Sequence, residues 1–574
     1  MVLTLSVGNE EVGEDQLSAL SVSSSDFASP AGPSPAATPP PLVRKTSLDS
    51  QPLPSPTRTE RPRGLSRSHT LPRVPQVDNK TRRKNSELDT LVVEPAILAR
   101  IRRWILGVAV VDFDVDDGPV ITGIYPSLAM FPAEAENIAF SAFPDSPQFE
   151  DGSQDHSFRI REHPLALRRA TSTDGFMYGF AHFTQRKDAA SKRGYEQRSL
   201  VILTHHPYPA LFARITTILG PLFQEHGLPM LEAACHNIAT WCQRWDPMPG
   251  TTIELGFLGT VLNVELPHSP EQQQLADKAY DPRQHILASS SAFTPPPLLL
   301  FEAALSHLWS LWECVVLCEP LLVFGASPAQ TSQAVWWLRD LLRPIPLAGD
   351  VRPYFTIHDT DHAVLASRLP PAAGRVLGVT NPVFERACAH WPHTLSLGRR
   401  VPLNTATHGA SAGNTRARAG PVPGWKTRTH TRYVSKDRAL LRRLEDACAR
   451  GSERERLDAS LELRRHFHAR TTEMLVPLTR YLHTLIPTPA ERAASSASAS
   501  ASSSSTSVAS APRMRTFSAP AFLASLKTGA GGAALPFRST ARRREFYERW
   551  LRTPAFGVWL GLQEGIVQGV LEGG

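Results

Sequence analysis

No two of the six cysteines (Cys235, Cys242, Cys314, Cys318, Cys388 and Cys448) form a Cys-x-x-Cys pair. With no histidine at ligand spacing beside Cys314 and Cys318, no metal is expected, and the pattern reads as buried thiols of a cytosolic protein. Long apolar runs are missing as well. Leu298 to Leu311 and Cys314 to Phe324 are short or interrupted by Glu, Pro or His, below the roughly 18 residues of a spanning helix. Met1 to Gln16 lacks a basic start followed by an apolar stretch, so no signal peptide is expected. The chain has no GxxxxGK[ST] loop, HExxH, GxSxG or kinase signature set, which argues against P-loop nucleotide binding, covalent catalysis and a cofactor. His358-Asp359 does not make an acid–base couple, because adjacent residues on a strand face opposite sides. The formal charge of +7 is dispersed: residues near Glu10 to Asp15 are acidic, while Arg44 to Lys84 and Arg399 to Arg443 are basic. Neither basic stretch interleaves aromatics, so a nucleic-acid partner is not expected.

What is abundant is proline. Fifty prolines in 574 residues are nearly double the usual share of about 5%. They cluster with Ser, Ala and Arg, which predicts a disordered tail over residues 1–90 and a disordered Ser/Ala-rich insertion near 490–515. Between them the apolar pattern returns. Ile105 to Phe113, Val120 to Tyr125, His156 to Arg161, Gly175 to Thr184 and Glu196 to Thr204 read as strands, with Asp114 to Pro119 a hairpin turn. Ala133 to Phe140, Leu211 to Leu219 and Leu228 to Trp241 read as helices. A first α/β layer domain over 91–246 is therefore expected.

A second unit, 251–400, alternates strands with helices. Ile253 to Phe257, Val261 to Leu266, Leu321 to Phe324, Tyr354 to Ile357 and Val376 to Val379 read as strands, and Phe301 to Leu317, Ala329 to Leu342 and Asn381 to His390 as helices. Pro267 to Pro297 reads as a mobile insertion. This alternation predicts a mostly parallel sheet. A basic linker over 404–431 precedes a helical segment over 432–574, in which Pro477 should kink or split its helix. Glu302, Glu313 and Glu319, on or after a very apolar helix, are expected to tie strand and helix ends together.

Several words in the chain are specific: RPYFTIHD from Arg352, LGVTNPVF from Leu377, HLWSLWE from His307, CEPLLV from Cys318, KRGYEQRSLV from Lys192, GFAHF from Gly179 and LEAAC from Leu231. They resemble the DENN-domain proteins, and within them the type-six subfamily, which exchanges nucleotide on Rab GTPases. The resemblance covers about Ile97 onward, apart from the insertions. It implies a longin-like antiparallel sheet domain, then a mostly parallel α/β DENN core, then an all-helical downstream segment. The activity it implies is Rab exchange in endosomal or exocytic traffic, by a cytoplasmic protein recruited to endosomal or secretory-pathway membranes.

Exchange needs no proton donor or nucleophile, only a surface that binds the nucleotide-free GTPase more tightly than the loaded one. In the family the GTPase sits between the longin-like and central units. The candidate contacts are Arg352, Thr356, His358 and Asp359 at one strand end and Thr380, Asn381 and Glu385 at the next. Asn381 also reads as a helix cap, and Tyr354 and Phe355 as core. Arg193 lies in a loop word similar to that of folliculin-like longin-DENN proteins, where an arginine resembles a GTPase-activating finger. Activation of GTP hydrolysis is thus an alternative, and a non-catalytic trafficking scaffold is another. Ser47, Thr70, Ser86 and Ser518 stand in basic contexts, Thr70 and Ser518 with a proline two residues on, that fit phosphorylation and a phosphopeptide-binding adaptor. The basic linker could touch anionic lipid as a peripheral contact.

Overall fold

The turn after the first strand sets the first sheet. In this computed structural model Asp114 Oδ1 accepts from the backbone N of Asp116 (2.7 Å) and Asp117 (3.0 Å), and Gly118 takes φ +82°. The turn joins β1 (Gly107–Asp114) to β2 (Gly118–Tyr125). With β3 (Gly152–Arg161), β4 (Phe176–Lys187) and β5 (Tyr195–Thr204) they form an antiparallel sheet in the order β2-β1-β5-β4-β3. Helices α1 (Pro95–Ile101), α2 (Pro132–Ser141), α3 (Pro209–His226) and α4 (Leu228–Thr240) pack around it. The pleat sorts the core. Val108, Val110, Leu200 and Ile202 join the α3 and α4 cluster, whereas Ala109, Val111, Val201 and Leu203 join Ile138 and Ala139 of α2. Burial on both faces explains why these strands read as nearly continuous apolar runs.

The residues described are 88, 91–145, 151–163, 171–189, 194–241, 250–269, 271–274, 280–398, 420–491, 513–528 and 535–573, all within Arg82–Gly574. The expected tail up to residue 87, the Ser/Ala insertion over 492–512 and linker residues 404–419 lie outside them.

A small sheet follows: β6 (Thr252–Phe257) and β7 (Thr260–Glu265) pair antiparallel, and β8 (His285–Leu287) joins β7 in parallel. Leu255, Phe257, Leu262 and Val264 fall in the same apolar cluster as α3 and α4. The stretch expected as a mobile insertion thus contributes a strand, and it buries Tyr280, Ser289, Ser290 and Ser291.

Next come α5 (Pro297–Leu300), a 3-10 turn over Glu302–His307, and α6 (Leu308–Val316). The single helix expected over Phe301 to Leu317 is therefore half 3-10, and Cys318 at φ +52° ends it before Cys314 and Cys318 can share a face. The second sheet contains β9 (Leu321–Phe324), β10 (Val351–Arg352), β11 (Val376–Val379), β12 (His393–Ser396) and β13 (Gly424–Thr427), with α7 (Pro328–Leu341), α8 (His362–Leu365) and α9 (Val383–Ala387) between them. Its order is β10-β11-β9-β12-β13, parallel except for β13. Residues expected to be linker thus supply an antiparallel edge strand.

Tyr354 to Ile357 is not a strand. Pro353 has no N–H to continue the ladder, so pairing stops at Arg352. Phe355 N still donates to Gly378 O (2.8 Å), so the segment runs beside β11 without forming a strand. Gly378 permits this approach: a Cβ there would meet Pro353 O at 2.2 Å.

The chain closes with α10 (Arg438–Arg450), α11 (Glu453–His483), α12 (Ala519–Thr528), α13 (Thr540–Trp550) and α14 (Pro554–Gly573). α11 passes through Pro477 without a break, so of the expected kink or split the split does not occur. Met474, Leu475, Leu478 and Leu482 are buried on both sides of that proline, and their packing outweighs the roughly 3 kcal/mol an internal proline costs. One apolar cluster runs from Trp309 and Trp312 through Phe467 and Met474 to Tyr547 and Trp550. Among the described residues no helix is long and apolar enough to cross a membrane. Antiparallel sheet, then a mostly parallel α/β core, then helices is the layer order the resemblance implied.

Candidate functional site

Where the first sheet meets the parallel core, one guanidinium organises the junction. Arg352 is wholly buried. Its Nε donates to Asp350 (2.5 Å), its Nη2 pairs with Asp361, and its Nη1 donates to Arg159 O (3.1 Å) and lies 3.5 Å from Asp359. Arg159 reciprocates, with Nη1 donating to Val351 O (3.3 Å) and Nη2 to Asp174 (3.0 Å). Arg161 of β3 spans to Asp350 (2.8 Å) and Asp361 (3.1 Å). The Phe176 ring lies under the guanidinium of Arg159 at 3.5 Å, with that of Arg352 at 5.0 Å. Burial pushes the Asp350 carboxyl up, but the hydrogen bond and charge of Arg352 overcome this and hold it below the usual carboxylate range. At Asp359 burial prevails over the same arginine and raises the carboxyl.

A second cluster binds the end of α2 to the RPYFTIHD and VTNP words. Asn137 and Thr360 exchange two bonds: Asn137 Nδ2 donates to Thr360 Oγ1 (2.8 Å), and Thr360 N donates to Asn137 Oδ1 (2.9 Å). Tyr354 Oη donates to Phe143 O (3.1 Å) and accepts from Asp145 N (2.6 Å). Asp145 also accepts from Asn381 Nδ2 (3.0 Å), and its carbonyl accepts from Thr380 Oγ1 (3.3 Å). Burial raises the Asp145 carboxyl in spite of Asn381. Above these bonds the His358 ring stacks on Phe140, centroids 4.1 Å apart. A cavity of about 510 Å³ opens along the same junction, lined among others by His156, Phe180, Phe293 and Trp336.

These positions correct part of the sequence expectation. Arg352, Thr356, Asp359 and Thr380 are buried; Arg352 and Thr380 bond across to the first unit, at Arg159 O and Asp145 O, whereas Asp359 is held within the core and Thr356 Oγ1 has no hydrogen-bond partner. His358 and Glu385 are exposed, and Asn381 is half-buried with its Oδ1 accepting from Val383 N (3.0 Å). Asn381 therefore closes a turn ahead of α9, whose cap position is Pro382 rather than the expected Asn381, and holds Asp145. Around them Val364, Leu369 and Val383 are 64%, 72% and 53% exposed, an apolar rim. Arg193, Ser47, Thr70 and Ser86 lie outside the described residues. Ser518 is exposed at the start of α12, where its Oγ accepts from Ala521 N (3.4 Å). Sequence reading did not pick out Asn137, Phe140, Asp145, Arg159 or Asp361 as site residues. Their partners lie far off in the chain, and only Asp361, two residues past Asp359, had a local signal.

The glutamates near α6 do tie ends together. Glu313 Oε1 accepts from the backbone N of Tyr433 (3.0 Å) and Val434 (2.6 Å), and Glu319 pairs with His393 and with Arg549 (2.7 Å). Folding also brings Cys314, Glu319 and His430 together, with possible ligand atoms within 4.8 Å of one another, a grouping invisible in sequence spacing. Arg549 already neutralises Glu319, and its charge opposes entry of a cation. Cys235, Cys314, Cys318, Cys388 and Cys448 are buried free thiols, and burial pushes the Cys314 thiol well up, away from the thiolate a metal requires.

No family model matches the chain. A protein named DENND6B from Mus musculus is 32% identical over 420 residues, covering 68% of this chain and 69% of that protein. DENND6B from Homo sapiens is 30% identical over 498 residues, covering 80% and 79%. A DENND6 homolog from Dictyostelium discoideum is 27% identical over 468 residues, covering 67% and 62%. Identity of this extent spans both sheets and the helical segment, and with it the chain belongs to the DENN-domain family, type six.

Proposed function

We propose that the chain is a guanine-nucleotide exchange factor for a Rab GTPase in endosomal or secretory traffic. The observation that carries this reading is the junction just described: buried bonds lock two units, and the exposed groups of the core beside it form one surface. His358 and Glu385 supply its polar contacts, and Val364, Leu369 and Val383 its apolar ones. A surface of this kind can grip mobile switch loops and hold them away from magnesium and phosphates, which needs geometry and no reactive group. The buried members, Arg352, Asp359 and Thr380, and the half-buried Asn381 act as positioning residues.

The test is release of labelled GDP from a panel of Rab proteins by the full chain. Acceleration on one or a few Rabs is expected. Flat release with tight binding retained would overturn exchange in favour of a scaffold. Faster phosphate release that vanishes in Arg193→Ala would overturn it in favour of GTPase activation. Phosphorylation of Ser518 belongs to the same proposal: a phosphate at the start of α12 meets the positive end of that helix, and an adaptor that reads phosphoserine would find it exposed.

A further inference from the structure

Away from the junction, three stretches of chain converge beside β13: the residues after Thr427, the start of α10, and the residues before α13. An isolated bridge pairs Val434 with Phe537. Ser435 N donates to Pro536 O (2.9 Å), and Arg538 N to Tyr433 O (2.9 Å). From beneath, the fully buried Glu313 takes the N–H groups of Tyr433 and Val434. The backbone carrying Arg432, Lys436 and Arg538 is therefore pinned from two directions.

The side chains on that frame are nearly all cationic. One cavity of about 550 Å³ is lined by Arg432, Ser435, Lys436, Arg438, Arg442 and Arg538, with Leu441 and Glu445. A second, of about 520 Å³, shares Arg432, Lys436 and Arg538 and adds Lys426. Glu445 is the one carboxylate among the residues lining either. Neighbouring arginines are paired, Arg443 with Glu462 and Arg542 with Glu545. Among the described residues the five cations of the first cavity make no ion pair, and Arg432 Nε is buried without a hydrogen-bond partner. Burial, then the charge of Arg432, pushes the Lys436 ammonium down. Like charges held this close by backbone pairing repel one another, and a multivalent anion relieves that repulsion. Forked guanidiniums with an ammonium and a hydroxyl suit phosphate oxygens better than isolated carboxylates.

We propose that this groove binds a ligand carrying several phosphate groups on one compact frame, the chemistry of a polyphosphorylated inositol. The headgroup of an anionic lipid and its soluble counterpart share that chemistry. The groove flanks β13, and β10, which faces the junction, is the other edge of the same sheet. An occupied groove therefore leaves the His358 surface open.

The test uses the full chain in three binding assays: vesicles of neutral lipid with a small fraction of bisphosphorylated inositol lipid, vesicles matched in total charge with phosphatidylserine, and soluble inositol trisphosphate. Specific vesicle binding displaced by the soluble headgroup would support the site with lipid as its source. Binding of the soluble headgroup alone would support it with a free ligand as its source. Arg432→Ala/Lys436→Ala/Arg538→Ala is expected to weaken binding about tenfold or more. Since Arg432 is half-buried, Arg438→Glu/Arg442→Glu, on the exposed side of α10, provides a second variant with the same expected loss. Equal binding to charge-matched phosphatidylserine vesicles, no binding to any probe, or binding unchanged in both variants would each overturn the proposal.

Discussion

Arg352 and Arg464 are both buried arginines that hold the parallel core to a neighbour, but their surroundings differ. Around Arg352 three carboxylates meet one guanidinium, and two of them, Asp350 and Asp361, retain 14% and 22% exposure. At the other junction one dry carboxylate serves two guanidiniums: Asp340 takes Arg464 at 2.6 Å and Arg343 at 3.1 Å. The apolar parts differ in the same way. Core and helical segment share one cluster that includes Trp309, Trp312, Leu338, Phe467 and Trp550. From the parallel core's own elements the antiparallel unit receives Tyr354 in one of its clusters and Trp336 in the other, and the small sheet links the two, with Ile286 and Ala288 in the first unit's cluster and Leu287 in the core's. The helical segment is therefore part of the core, whereas the first sheet meets the parallel sheet mainly through polar bonds and two aromatic side chains.

The largest expected effect tests the dry junction. Asp340→Ala leaves Arg343 and Arg464 buried without a counter-charge and should destabilise the fold by about 3–5 kcal/mol in chemical denaturation. Arg352→Met should cost about 3 kcal/mol or less, because Asp350 and Asp361 lie near water and keep Arg161 as partner, which leaves only Asp359 buried without a counter-charge. If the comparison holds, it also raises protease sensitivity between the first sheet and the core while the helical segment stays protected. An equal loss of protection everywhere would erase the distinction.

Acid should tell the junctions apart as well. Burial pushes His156, at the first junction, and His468, at the second, down to about 4. Between about 6.5 and 4 the unfolded chain binds these protons and the folded chain does not, so stability falls as pH falls, by about 1.4 kcal/mol per pH unit per imidazole. At Asp340 burial raises the carboxyl, yet Arg464 and Arg343 hold it at about 2. Its contribution is present above the ordinary value of about 3.9 and is lost as pH drops from there toward 2. Denaturation from pH 7 to 3 should show the two imidazoles first and Asp340 last, with His156→Gln and His468→Gln each removing part of the upper slope.

Gly378→Ala drives a methyl into Pro353 O and should cost about 1–3 kcal/mol while displacing the His358 loop. Smallest of all, His358→Ala and Glu385→Ala should stay within about 0.5 kcal/mol in stability, because both are exposed. Their effect should appear only in GDP release, which Arg352→Met also slows by loosening the frame. Unchanged release in both surface variants would remove that face from the mechanism.

The strands of the first sheet and the alternation of the second were legible because buried strands leave runs of Val, Ile, Leu and Phe, as in Val108 to Val111 and Leu321 to Phe324. Tyr354 to Ile357 misled, since its composition is that of a strand while Pro353 denies it the ladder. At Pro477 the helix is not split, because packing outweighed a local rule. For the candidate site, the words RPYFTIHD and VTNP were conspicuous, but the depth of their side chains was not legible. Their conspicuous residues face inward, toward Asp145 and Arg159, and partners roughly two hundred positions away leave no mark in local spacing.

The two sheets present β3 and β10 to each other as outermost strands, yet no ladder joins them. Side chains occupy the places where rungs would form: Arg159 takes the carbonyl of Val351, and Ser332 takes the amide of Ser157. A visiting strand therefore finds no free backbone at these rungs and cannot lengthen either sheet there. The two sheets stay separate weaves, pinned to each other across this seam by side chains.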